Sequence, residues 1–243
     1  MEPTFKYSNS VVLYPLFAVV LLWFIFWADQ NFYRELYTFG IYPQKLSGLK
    51  GVFLSPFIHG SGEHLLKNSI PLFVLLVALR YFYYDYFFKI IALGIFFSGL
   101  LTWIIGRENY HIGASGLIYV VASFIFFKGI QTQYYRLIAL SLAVILVYGG
   151  MIWYVFPTAD ETISWEGHLA GFLTGIFLSK IFTVKDYTKP ALYEWQKPDY
   201  KPEEDPFMQQ FDKNGNFFEK PKEPEPENTN ITDLVYEYKK SST

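Results

Sequence analysis

Cysteine is absent from the chain. No disulfide, thiolate nucleophile or cysteine metal site can therefore form. Charge is also scarce: Asp, Glu, Lys and Arg make up 17% of the residues, against 52% hydrophobic and 21% aromatic. No basic patch marks a nucleic-acid partner. The pattern H-E-x-x-H is missing, which disfavours a metal-dependent intramembrane protease. There is no internal repeat. No small-residue cleavage site precedes Asp29, so the first apolar run reads as a mature span rather than a secretory signal.

What is present is apolar length. Residues 11 to 183 hold long runs with few or no charges. Runs of about 18 apolar residues can cross the hydrocarbon core of a bilayer. The pattern predicts an all-α polytopic membrane protein with six transmembrane helices: Val11–Ala28, His64–Leu79, Lys89–Ile105, Ala114–Gly129, Leu137–Phe156 and Ile163–Phe182. The second and fourth are short, as suits helices that begin below the membrane surface in a protein-lined cavity. Pro71 predicts a kink in the second. Residues 1–10 form a short N-terminus. The loop from Asp29 to Gly62 carries scattered aromatic and aliphatic residues and predicts short helices in the outer interface. Residues 184–243 hold seven prolines and many charges. That composition cannot bury much apolar surface and predicts a disordered tail.

Lys and Arg in the connections set orientation. With the N-terminus inside, Lys6, Arg80, Lys89, Lys128, Arg136 and Lys180 fall on the cytoplasmic side. The last external loop carries Asp160, Glu161 and Glu166 and no base. Both termini are therefore expected in the cytoplasm.

Polar residues at membrane depth are costly and mark function. Here they are few: His64 and Asn68 at the start of the second span, Ser115 at the start of the fourth, His168 at the start of the sixth. Those three spans run in one direction, so their N-terminal ends lie at one depth. His64 and Asn68, spaced i, i+4, share a helix face. Gly171 and Gly175 form a small-xxx-small pair, which Gly113 and Gly116 could accept from the fourth span. A serine needs an adjacent base to act as a nucleophile, and His168 can serve. Asn68, His64 and the free N–H groups at the helix start by Ser115 can stabilise an oxyanion. Tyr119, four residues after Ser115, can pack on the imidazole and orient it.

Each residue also has a plainer reading. Ser115 alone is more often a helix-packing residue, His168 a capping residue, and Asn68 interhelical glue. Their conjunction on three helices of one polarity favours chemistry. His111 is assigned a structural role. The spacing of Glu166 points it away from His168, so a dyad is expected rather than a triad. The sequon Asn230-Ile231-Thr232 lies in the tail and is discounted. Residues Asp212 to Asn216 resemble a calcium loop only faintly and read as a turn.

Three motifs carry a family resemblance. "GASGLIY" at 113–119 resembles the rhomboid GxSG motif and its following tyrosine. "HGSGEHLLKN" at 59–68 is similar to HxxxxHxxxN, and "GHLAGFLTG" at 167–175 to HxxGxxxG. Together they span residues 59 to 175 in the family's order, and "HIGASGLIY" and "ISWEGHLAG" resemble the bacterial six-span type.

The resemblance implies a six-transmembrane-helix rhomboid-like bundle in the bacterial inner membrane. It implies an intramembrane serine endopeptidase with a Ser115–His168 dyad and neither metal nor cofactor. Its partners would be the lipid bilayer and single-span transmembrane substrates, cut near the external face. His64, Asn68 and the Ser115 N–H would form the oxyanion hole, Tyr119 would stack on His168, and His59 would be structural. The chain departs from the family at Lys50-Gly51, where many members have Trp-Arg. A non-proteolytic scaffold that binds membrane clients is the alternative, and a proton relay through His64 and His168 a more distant one.

Overall fold

A computed structural model describes residues 7–33, 35–157, 163–183 and 193–218. It divides into two units, Met1–Lys189 and Pro190–Thr243. The first is all helical among its described residues: α1 (Ser10–Ala28), α2 (Gly51–Leu54), α3 (Gly62–Phe82), α4 (Phe87–Ile105), α5 (Ser115–Thr132), α6 (Tyr135–Tyr148) and α7 (Trp165–Ile181). Five stretches are long and apolar enough to cross a membrane: Ser10–Tyr33, Gly62–Phe82, Tyr84–Ile105, Ser115–Thr132 and Tyr135–Val155. Helix α7, at 17 residues, spans about 25 Å at 1.5 Å per residue.

Helix α5 is the centre. Its most apolar window is 56% buried inside the protein, against 17% for the windows of α1 and of the α6 stretch. Val120, Val121, Phe124 and Ile125 of α5 are fully buried, with Leu65 and Leu79 of α3 and Leu178 of α7 around them. Apolar side chains gain little by leaving lipid for protein, so close packing must hold such helices together. Glycine supplies it. A Cβ at Gly171 would strike the Gly116 carbonyl, and one at Gly175 would strike Ser123 Oγ and the Val120 carbonyl. Helix α7 therefore lies backbone to backbone along α5. The two glycines pack as their spacing predicts, but Gly113 takes no part. It precedes α5 and packs on α3 instead, because its φ of +109° turns it out of the helix line.

Helices α3 and α5 are longer than expected, at 21 and 18 residues. Both continue through polar and aromatic ends, such as Arg80-Tyr81-Phe82, that a hydropathy boundary cuts off. Pro71 lies inside α3. The fifth span is not one α-helix. Helix α6 stops at Tyr148, and a 3-10 segment runs over Gly149–Val155. The Gly149-Gly150 pair weakens the α-helix there, and a 3-10 run this long is uncommon.

The loop after α1 folds into short helical pieces, as expected: a π turn at Asp29–Tyr33, 3-10 turns at Leu36–Phe39 and Leu46–Gly48, then α2 and Ser55–Phe57. Lys50 lays its ammonium over the Phe39 ring at 4.1 Å. Gly51 lets the backbone at Gly40 and Ile41 pass against it.

In the second unit, residues 193–218 hold short 3-10 turns, a stacked Tyr193–Trp195 pair and a Phe207–Phe211–Phe217 cluster. This local order was not anticipated from composition. Aromatic pairs supply it where aliphatic residues are few. Asp212 accepts from the Asn214 and Asn216 N–H groups, both at 2.8 Å, which makes the turn read from sequence. The sequon at Asn230 lies outside the described residues.

Two glycine substitutions test the packing. Gly175→Ala should cost about 1–3 kcal/mol, the usual range for overpacking. Gly150→Ala, where a Cβ meets nothing within 4 Å, should be neutral or gain up to ~1 kcal/mol. Thermal unfolding in detergent reads both; equal midpoints would refute the α5–α7 contact.

Candidate active site

The N-terminal ends of α3, α5 and α7 meet at one end of the bundle, and the motif residues meet there with them. Helix α3 starts at a Ser61 cap, whose hydroxyl accepts from the His64 N–H at 3.1 Å. His64 and Asn68 then face the backbone that leads into α5. A Cβ at Gly113 would lie 2.7 Å from His64 Cε1 and 3.7 Å from Asn68 Nδ2. Only glycine combines this contact with a φ of +109°. The Asn68 amide donates one N–H to the His64 carbonyl at 3.0 Å. An amide carries two N–H groups, so one remains for another acceptor.

Helix α5 begins at Ser115 with no side-chain cap. The Ala114 N–H is taken by His59 Nε2 at 3.3 Å and the Gly113 N–H by the Ser55 carbonyl at 2.9 Å. Among the described residues the N–H groups of Ser115, Gly116 and Leu117 have no protein acceptor. They aim partial positive charge past the serine hydroxyl. Ser115 Oγ likewise makes no hydrogen bond among the described residues, to His168 or otherwise. It borders a small pocket lined by serine and threonine residues, among them Ser55, Ser98, Thr102 and Ser164, together with apolar residues such as Ile41, Val52 and Leu117.

His168 stands in the first turn of α7. Its ring stacks on Tyr119 with centroids 4.5 Å apart and planes 18° from parallel. Its Nδ1 lies 3.0 Å from the Tyr154 carbonyl. A carbonyl can only accept, so Nδ1 carries the proton and Nε2 keeps its lone pair. Tyr119 in turn donates its hydroxyl to the Met151 carbonyl at 2.7 Å. Both carbonyls belong to the 3-10 segment Gly149–Val155. No sequence signal reports them, since a backbone carbonyl has no residue type; the Gly149-Gly150 pair is the one local hint.

His59 and His111 are both buried and bonded to backbone. His59 is buried and braces the Ala114 N–H. Burial, with a smaller push from His64, lowers its pKa from the usual 6.5 to about 3. Its ring lies 5.1 Å from that of His64. Among the described residues no third His, Asp or Glu joins them as metal ligands would. His111 pairs with Ile41 backbone to backbone, at 2.8 and 3.0 Å. Burial pushes its pKa down as well, against a smaller upward pull from the Arg107 carbonyl. Its Nε2 donates to that carbonyl at 3.1 Å, so its Nδ1 must accept, and it does so from Ser164. Ser164 also caps α7 by accepting from the Gly167 N–H at 3.2 Å. Ser164 was not singled out from sequence, although a serine three residues before Gly167 at a helix start is a capping signal. Glu166 turns away from His168 toward Arg107, as its spacing implied.

The sequence profile described as Rhomboid domain matches residues 47–185. Proteins of Mycobacterium tuberculosis and Mycobacterium bovis, each described as an uncharacterized protein, are 32% identical over 182 residues, covering 72% of this chain and 76% of theirs. One of Mycobacterium leprae is 29% identical over 184 residues, covering 72% and 73%. The chain is a member of the rhomboid family, and it is an integral membrane protein.

The burial of His59 makes stability depend on pH. Between about 6.5 and about 3 the unfolded chain binds a proton at this position that the folded chain refuses. Stability is therefore fully present above pH 6.5 and falls as the pH drops through that window. His59→Gln, whose amide oxygen can accept the same Ala114 N–H, should flatten the fall. Melting midpoints measured across the window check it; an unchanged slope would assign the effect to other groups.

Proposed function

We propose that this chain is an intramembrane serine endopeptidase working through a Ser115–His168 dyad. The observation that supports this most is the state of His168. One nitrogen is committed to the Tyr154 carbonyl and the other is left basic, on a ring held flat against Tyr119. That is the tautomer a general base requires.

Ser115 Oγ attacks the scissile carbonyl while His168 Nε2 takes its proton. The C=O pair moves to oxygen, and the oxyanion is met by the Ser115 N–H, the spare Asn68 N–H and His64. The C–N bond then breaks, and His168 gives its proton to the leaving amine. Water next attacks the acyl-serine, loses a proton to His168, and Ser115 departs as the alkoxide and regains it. The unmade Ser115–His168 bond fits a resting site, since such bonds often tighten only around substrate.

The lysine and arginine bias supports cytoplasmic termini, with the site toward the outer face, and the resemblance of the motifs to bacterial six-span rhomboids supports a bacterial inner membrane. Helix α6 packs chiefly on α5. Between them an open apolar cleft, about 740 Å³ including its mouth, reaches Tyr119. A single-span substrate can enter beside α6 and unwind there, most easily where it carries Gly or Pro. The tail, a separate unit, is not required for cleavage.

The test is labelling by a fluorophosphonate together with cleavage of a model transmembrane substrate. Ser115→Ala and His168→Ala should each lower kcat by about a millionfold, with the double variant little worse, because the two act as a unit. Asn68→Ala, which removes one donor of several, should cost on the order of 100-fold. Stable client binding without labelling or cleavage would instead select the scaffold reading. Activity should survive EDTA; loss restored by zinc would overturn the metal-free mechanism.

A further inference from the structure

Glu166 is used by nothing in that mechanism, yet it is among the most deeply buried residues of the protein, 1% exposed. A carboxylate is rarely placed so without a partner. Its Oε1 accepts from the Arg107 N–H at 3.3 Å and lies 3.6 Å from Arg107 Nε. Its Oε2 is buried with no partner among the described residues. The same arginine donates through Nη2 to the Ile163 carbonyl at 2.7 Å. Arg107 follows α4 and opens the segment that ends at Ser115. Glu166 sits two residues before His168.

Nearby, a second tie joins the same two pieces of chain. The Gly167 N–H donates to Ser164, Ser164 to His111 Nδ1, and His111 Nε2 to the Arg107 carbonyl. Both ties begin in the first turn of α7 and end on Arg107.

We propose that Arg107 and Glu166 are positioning residues that set the placement of His168 relative to Ser115, a role that rests on the serine-protease reading. Glycine contacts fix how closely α7 approaches α5, from Gly116 beside the Gly167 carbonyl to Gly175, but they do not tie the first turn of α7 to the segment 107–114 that leads into Ser115. The Arg107–Glu166 clasp removes that freedom at the end where the chemistry occurs. The pair touches neither substrate nor reacting atoms; it acts through the segment 107–114 and the first turn of α7. A guanidinium suits the task because it reaches a carboxylate and a carbonyl at once in fixed directions.

The test uses the full-length protein with Arg107→Gln, Arg107→Lys and Glu166→Gln. Exhaustive fluorophosphonate labelling counts the competent sites, and kcat and KM on a transmembrane substrate are then expressed per site. Arg107→Gln and Glu166→Gln should lower kcat on the order of 100-fold, as for a misplacement near 1 Å, with KM unchanged. Arg107→Lys, which keeps the charge, should recover part of the loss. A lower melting midpoint with unchanged kcat per site would show a merely structural pair and overturn the proposal. So would a loss carried by KM, or a lysine variant no better than glutamine. Should Glu166→Gln fail to fold, the Arg107 variants decide on the same numbers, since that side chain is already 34% exposed. A wild-type protein that is neither labelled nor active would sink the serine-protease reading itself, and this role with it.

Discussion

The contact of α7 on α5 through Gly171 and Gly175 is the constraint from which the rest of the site follows. With no Cβ between them, the backbone of α7 rides against the Gly116 and Val120 carbonyls. At that separation a histidine one turn before Gly171 falls over the ring of Tyr119, and the two stack. Wider spacing would leave the ring unsupported. Inside a bilayer, where apolar burial adds little, such close approach is the main attraction available to helices.

The second feature is the source of orientation for His168. Many serine hydrolases hold the base with a carboxylate. In this chain a backbone carbonyl holds the candidate base, His168, and Glu166 is engaged by Arg107. A carbonyl sets the tautomer without placing a second charge at depth in a low-dielectric setting, where an unpaired carboxylate is costly. The 3-10 turn Gly149–Val155 makes this possible. It directs the Met151 and Tyr154 carbonyls inward, one to the tyrosine and one to the histidine, so one short segment steadies both rings.

The approach to Ser115 is held as firmly. Three backbone hydrogen bonds and one to the His59 imidazole tie residues 111 to 114 to Ile41, Ser55 and His59. The long loop after α1 is thereby part of the site's foundation. Its Lys50–Phe39 contact and the bare backbone at Gly51 hold the loop against itself.

The sequence alone determined the membrane class, the approximate spans and which polar residues are candidates for the site. Apolar length, glycine spacing and rare polar side chains are properties of residue type, and each reports its physics locally. Ser115, His64, Asn68 and His168 stand out as candidates because polar groups at depth are rare, and Gly171 with Gly175 because small residues four apart share a face. Tertiary structure decided the rest. Gly113 could not be told from a helix-packing glycine until its positive φ set it beside His64. The break after Tyr148, the two inward carbonyls and the Arg107–Glu166 clasp join atoms 14 to 59 residues apart. Such contacts depend on where helices cross and which backbone atoms are turned inward, and neither is written in the identity of any one residue.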